Sequence, residues 1–225
     1  MSHAAQVVAL SFTIALAGLP LADSPLAAQN ADDVRPGDRT IGAWAGASFY
    51  APVGTWFGHT PDRHLYLAGA RGEWVLETAG PFALAATIDV IPLAVVSHNP
   101  TYRVVEFSPT PTEKSRIKEM TGAAPVYGAG LNPIGLELFG PRVAGARLYL
   151  AGAAGGLWFT RETPEPNARR FNFTFEYGGG LRLPLRSGRS LLLGYKFHHL
   201  SNAYTAPRNP GLDGNVFYLG LTRRR

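Results

Sequence analysis

Near the C-terminus the sequence gathers a serine, two histidines and an aspartate into one short stretch, LLLGYKFHHLSNAYTAPRNPGLDGNVFYLGL, residues 191–221. These are the residue types of nucleophilic acyl transfer. A hydroxyl attacks, an imidazole takes its proton, and a carboxylate orients the imidazole. The stretch reads as two β-strands joined by a polar loop rich in Pro and Gly. Side chains on a strand alternate between its faces. Leu191, Leu193, Tyr195, Phe197, His199 and Ser201 therefore share one face, and Leu192, Gly194, Lys196, His198, Leu200 and Asn202 share the other. His199 and Ser201 are i and i+2 neighbours at the end of an apolar, aromatic face. Asp213 opens the second strand in the same odd register as Asn215, Phe217, Leu219 and Leu221. His199, Ser201 and Asp213 are thus the candidate catalytic residues. If the apolar face meets lipid, all three point outward, toward acyl chains.

The neighbouring residues read differently. His198 falls on the opposite face with Lys196, so it is set aside as the base. Successive strand residues point apart, so the His pair does not read as a metal site, and neither a metal nor a cofactor is expected. A single Ser or His at a strand end is ordinary in any barrel. Only the trio in common register raises a catalytic reading. Asn202 is the candidate oxyanion donor, through its amide or through nearby loop N–H groups, although strand parity turns its side chain inward. Pro210 and Gly211 read as turn formers. Gly178, Gly179 and Gly180 follow a strand without opening a helix, which argues for sheet curvature and against a phosphate loop.

The elements that must position these residues can be followed along the chain. Strands are expected over 40–50, 64–77, 82–97, 126–139, 146–160, 171–185 and the two segments of the C-terminal stretch. A bulge is expected near Gly69 or Gly72, where the apolar parity changes between Leu67 and Trp74. Pro92 implies an irregularity in its strand. Turns are expected at 79–81, at Gly140-Pro141 and at 186–189. Within the long segment 98–124, residues 111–120 suggest a short helix with Thr112 as its N-cap. Phe171, Phe173, Phe175 and Tyr177 alternate with Asn172, Thr174 and Glu176, the cleanest such pattern in the chain.

The chain has 225 residues, no cysteine and a formal net charge of +5. Disulfides and thiolate metal sites are therefore excluded. The basic residues are scattered through loops and strand ends, and only Arg223, Arg224 and Arg225 form a run. That distribution argues against nucleic acid and suits anionic lipid headgroups. Residues 1–29 read as a secretory signal, with an apolar core from about Val7 to Leu21 and small residues at Ala27 and Ala28. The alternative is an anchor helix, but the run is short and Pro20 interrupts it. Residues 30–225 then form one domain.

About eight strands at near-regular spacing point to an all-β antiparallel barrel or sandwich. Two architectures compete. In a soluble ligand-binding barrel the apolar residues would line the inside. In an eight-stranded transmembrane barrel they would face lipid, and Glu176, Arg182 and Lys196 would form an interior polar network. Alternation alone does not separate inside from outside. Strand lengths near ten residues and the alternation of long and short connections favour the transmembrane barrel. In that topology both chain ends are periplasmic, and His199, Ser201 and Asp213 lie near the external leaflet.

The string HHLSNAYTAPRNPGLD resembles the lipid A 3-O-deacylase family, also called acyloxyacyl hydrolases of the outer membrane. The matching residues are His199, Ser201, Asn202, Ala203, the Asn209-Pro210-Gly211 loop and Asp213. Upstream, GLNPIGLELFG and RRFNFTFEYGGGLRLPL extend the likeness less specifically. The resemblance implies an eight-stranded outer-membrane barrel and a serine esterase that cuts the 3-position acyl ester of lipid A, part of lipopolysaccharide. It also implies a triad on the outer wall. The best-known form of the motif has Glu at the acidic position, where this chain has Asp213. The Arg-Arg-Arg ending departs from the terminal aromatic of barrel-assembly signals. A non-enzymatic outer-membrane barrel with a degenerate site is the alternative. Acyl-chain preference and oligomeric state are not legible.

Overall fold

In the computed structural model, residues 34–49, 57–60, 62–110 and 113–225 are described. The expected signal peptide lies outside them. Eight strands follow in order: β1 (Arg39–Ser48), β2 (His64–Ala79), β3 (Phe82–Thr110), β4 (Glu113–Val143), β5 (Ala146–Thr163), β6 (Arg169–Pro184), β7 (Arg189–Ser201) and β8 (Leu212–Arg224). Each pairs antiparallel with its neighbours in sequence, and β1 pairs with β8, so the sheet closes into a barrel. Closure leaves no unpaired edge around the wall. Among the described residues there is no helix long and apolar enough to cross a membrane.

The polarity of the closed sheet decides between the two architectures. Arg71, Glu73, Asp89, Glu137, Glu176, Arg182, Lys196 and His198 are all buried inside. Leu76, Ile134, Leu136, Leu150, Phe175, Tyr177, Phe217 and Leu219 stand exposed on the outer wall. Water would reject that outer surface, whereas hydrocarbon suits it. The fold is therefore the transmembrane barrel. Trp74 and Trp158 sit outside, as girdle residues do, but Trp44 is buried inside.

The interior is filled rather than open. Arg71 holds Asp89 through Nε–Oδ1 at 2.9 Å and Nη2–Oδ2 at 2.8 Å, and reaches Glu137 at 3.1 Å. Arg182 joins Glu73 and Glu137. Lys196 pairs with Glu176 at 2.7 Å and lies 3.7 Å from the Trp44 ring centroid. At the end with the long connections, Leu65, Val96, Val126, Leu157, Phe159, Leu200 and Leu212 form an apolar layer. Buried charges are tolerable only when paired and hydrogen-bonded, and here each has a partner of opposite sign.

Two local expectations need correction, and a third holds for a different reason. The described part of the segment, 113–120, is not helical: β4 begins at Glu113 and pairs with β3 from Thr110↔Glu113 to Asn99↔Ala124. Cross-strand pairs such as Arg103–Glu119 and Glu106–Arg116 stabilise this two-stranded ribbon, which the helix reading overlooked. Thr112, the supposed cap, lies outside the described residues. The turn near Gly140-Pro141 sits instead at Ala144-Gly145, with a register shift between Phe139 and Arg142. Finally, Leu65, Leu67, Arg71, Glu73 and Val75 all point inward without a parity break. What changes along β2 is the character of the inward residues, from apolar to charged. The bulge expected near Gly69 is present as a register shift between Ala68 and Ala70, with the extra residue in β3 between Val90 and Leu93, where Pro92 stands. Gly69 leaves room for the Trp44 ring, since a Cβ there would lie 2.7 Å from it.

Candidate active site

The site grows out of three adjacent strands. Phe175 of β6 pairs with His199 of β7, and His199 pairs with Asp213 of β8. Phe173 pairs with Ser201. Residues in direct register share a face, so His199, Ser201 and Asp213 all belong to the outer wall. Strand parity and register together place them there.

His199 and Asp213 are joined. His199 Nδ1 lies 2.6 Å from Asp213 Oδ1. With Nδ1–H donating to the carboxylate, Nε2 is left carrying the lone pair, the tautomer a general base requires. The Asp at this position departs from Glu in the best-known motif, yet it reaches the imidazole because the two residues face each other directly. The Asp213 side chain is fully buried, while that of His199 keeps 14% of its surface exposed. Among the described residues, Ser201 Oγ has no hydrogen-bond partner, and the bond to His199 is not formed. Ser201 remains half-buried beside Phe173.

An aromatic wall surrounds the trio. Phe171 and Phe173 pack edge to face at 5.1 Å, Trp158 lies 6.3 Å from Phe171, and Tyr177 lies 5.2 Å from Phe197. These rings make the outer wall beside Ser201 apolar.

The loop 202–211 is held by its own bonds. Asn202 Nδ2 donates to the Arg208 carbonyl at 2.7 Å, and its main-chain N–H donates to Asn209 Oδ1 at 2.9 Å. Thr205 Oγ1 donates to the Asn202 carbonyl at 2.7 Å, and Arg169 Nε donates to the Thr205 carbonyl at 2.8 Å. Asn202 is buried, and both its amide and its main-chain donor are committed to closing the loop. Beside it, Ala203 and Tyr204 both adopt left-handed backbone.

One contributor had no signal in the sequence. Residues 57–60, between β1 and β2, lie across the His–Asp pair. The Phe57 ring packs 5.4 Å from the His199 ring, and a Cβ on Gly58 would lie 2.7 Å from Asp213 Cγ. His198, by contrast, is where parity put it: inside, with Nδ1 2.8 Å from Glu176 Oε1. Among the described residues, no group of three or more His, Asp or Glu side chains stands placed to hold a metal ion.

Comparison with known proteins adds to this picture. The family model described as lipid A 3-O-deacylase (PagL) matches residues 96–222, which include His199, Ser201 and Asp213. No curated protein matches the chain by sequence. Among solved structures, the crystal structure of the outer membrane enzyme PagL is similar with a TM-score of 0.52 at 15% identity, covering 80% of this chain and 97% of that one. The crystal structure of Ail, the attachment invasion locus protein of Yersinia pestis, is similar at 12% identity and a TM-score of 0.42, covering 85% of this chain and 100% of that one. At these identities the likeness concerns the fold alone.

Proposed function

The chain belongs to the lipid A 3-O-deacylase family, and from that premise we propose that it is a serine esterase of the bacterial outer membrane. Its substrate in this reading is lipid A, and the bond it cuts is the acyl ester at the 3-position. The observation that carries the reading is the His199–Asp213 pair on the lipid-facing wall, with Ser201 two residues along the same face.

In the proposed reaction, lipid A stays in the external leaflet with its acyl chains along the aromatic wall. Ser201 Oγ attacks the ester carbonyl carbon while His199 Nε2 takes its proton. Asp213 holds the imidazole in orientation and stabilises the imidazolium. Loop N–H groups meet the oxyanion. The sugar oxygen leaves with the proton from His199, and the acyl group remains on Ser201. Water, deprotonated by His199, then attacks that acyl-enzyme and releases a 3-hydroxy fatty acid. The missing Ser201–His199 bond fits a nucleophile that swings into line when substrate arrives, since such bonds often tighten only in the reacting complex.

That same missing bond is also the observation that keeps a non-enzymatic barrel in play. Mass spectrometry of lipid A from cells expressing each form separates the two readings. Ser201→Ala should lower 3-hydroxy fatty acid release by about a thousand-fold or more while leaving the barrel folded. Equal release from the wild type and Ser201→Ala would rule out the nucleophile assignment.

A further inference from the structure

Asp213 poses a physical problem. It stands on the outer wall of a membrane barrel, where a carboxylate would meet headgroups and hydrocarbon. Yet its side chain is fully buried. Residues 57–60, far away in sequence, lie against it.

The contact is close and specific. A Cβ on Gly58 would lie 2.7 Å from Asp213 Cγ and 2.9 Å from both Asp213 N and Oδ1. Gly211, at a φ of +64°, faces the same segment: a Cβ there would lie 2.5 Å from the Phe57 carbonyl oxygen and 3.2 Å from His199 Cε1. Two loops thus meet backbone to backbone over the His–Asp pair, glycine against glycine. Hydrogen bonds clamp them. His59 N–H donates to the Pro210 carbonyl at 2.8 Å, and Thr60 Oγ1 donates to the Gly211 carbonyl at 2.6 Å. Thr60 is itself buried, Phe57 is half exposed, and the Phe57 ring lies 6.4 Å from Phe197 as well as beside His199.

From this arrangement we infer that the segment 57–60, and Gly58 above all, is a positioning device for catalysis: it seals Asp213 and holds it on His199 Nδ1. The inference rests on the catalytic reading of His199, Ser201 and Asp213. Excluding water and headgroups from the carboxylate strengthens its bond to the imidazole, since an ion–dipole contact gains in a medium of low dielectric. No side chain larger than hydrogen fits at residue 58 without pushing either the segment or the carboxylate away. Gly58 touches no reacting atom and acts only through Asp213.

The test uses the full-length barrel in detergent micelles, in a double-mutant cycle with a spectroscopic reading. Gly58→Ala should lower kcat for deacylation by roughly ten- to a hundred-fold, with KM changed by less than about three-fold. In an Asp213→Ala background the same change should cost less than about two-fold, because what it disturbs is already gone. Thr60→Val, which keeps the shape and removes one clamp, should show the same pattern at a smaller scale. The His199 Nδ1 proton resonance, shifted far downfield by the carboxylate, should weaken in Gly58→Ala and vanish in Asp213→Ala. An equal loss of kcat in both backgrounds would overturn the inference, as would an unchanged proton resonance in a folded Gly58→Ala barrel. The resonance does not depend on turnover. If Ser201→Ala remained active while the resonance behaved as described, the nucleophile assignment would fail and the sealing role would stand.

Discussion

His198 and His199 are neighbours in sequence, and each is bonded through Nδ1 to a carboxylate, at 2.8 Å and 2.6 Å. They nevertheless belong to two different regions. His198 is inside the barrel, where Glu176 also binds Lys196 and accepts from Asn132 Nδ2 at 3.0 Å. Its Nε2 is buried, with no partner among the described residues. His199 is outside, paired with one carboxylate, and retains exposed surface beside a serine. The two pairs teach that a His–carboxylate bond by itself is not a catalytic feature. Access makes the difference. The inner pair has no path to a substrate and contributes to a network that fills the lumen. The outer pair stands on the lipid-facing wall, where residues 57–60 lie over Asp213 and His199 keeps exposed surface.

The largest expected effect separates the two histidines. His199→Gln should reduce deacylation by about a thousand-fold or more, while His198→Gln should leave it within about ten-fold. Fatty acid release from outer-membrane fractions measures both. Comparable losses in the two variants would break the comparison at its centre.

Asp213 comes next. Asp213→Asn should lower kcat by roughly a hundred- to ten-thousand-fold, because the amide cannot hold the required tautomer. Asp213→Glu should retain activity within about ten-fold, since Glu is the residue in the best-known form of the motif. Burst and steady-state kinetics in detergent would read both.

The inner region should answer in stability rather than rate. Lys196→Met leaves Glu176 buried without its ammonium partner, a defect that costs about 3–5 kcal/mol when one half of a buried pair is removed. Urea unfolding, followed by heat-modifiable gel mobility, should show the loss. The folded fraction should keep a kcat close to wild type. If kcat fell as far as stability, the two regions would be coupled in a way the geometry does not require.

The smallest effect is expected beyond the membrane, on the ribbon formed by the ends of β3 and β4. Lys118 Nζ lies 2.7 Å from Glu162 Oε2, which also accepts from Tyr102 Oη at 2.8 Å and from the Asn167 N–H at 2.8 Å. Burial pushes the Glu162 carboxyl up, but the Lys118 ammonium and these hydrogen bonds outweigh it and hold the group below its ordinary value. A carboxyl lowered in the folded state adds stability at pH above its ordinary value. That contribution is lost as pH falls through the lowered one. Hydrogen exchange of ribbon amides should therefore quicken on acidification. Lys118→Met should remove most of that pH dependence at a cost of about 1 kcal/mol or less.

Much of this was legible before any coordinates. The parity of 191–201 placed His199 and Ser201 together and His198 apart, and both placements hold in the barrel. The partners foreseen for the interior, Glu176, Arg182 and Lys196, are there. Residues 111–120 suggest a helix because their charges recur at spacings that suit either a helix or a ribbon, and only cross-strand pairing distinguishes them. The bond from Asn202 Nδ2 to the Arg208 carbonyl is one that no strand pattern reveals. Nothing in the sequence marked Gly58, whose significance comes from a contact spanning most of the chain.

The sequence by itself determined which side chains share a face, because strand alternation has a period of two and needs no partner. It could not determine which face is inside, because alternation looks the same from both sides of a sheet. Closure of β1 onto β8 decided that, by enclosing charged side chains that must find one another and leaving the aromatic rows to lipid. Tertiary structure also decided which carboxylate serves which histidine. Register sets Asp213 opposite His199, and a loop from the other end of the chain covers the pair.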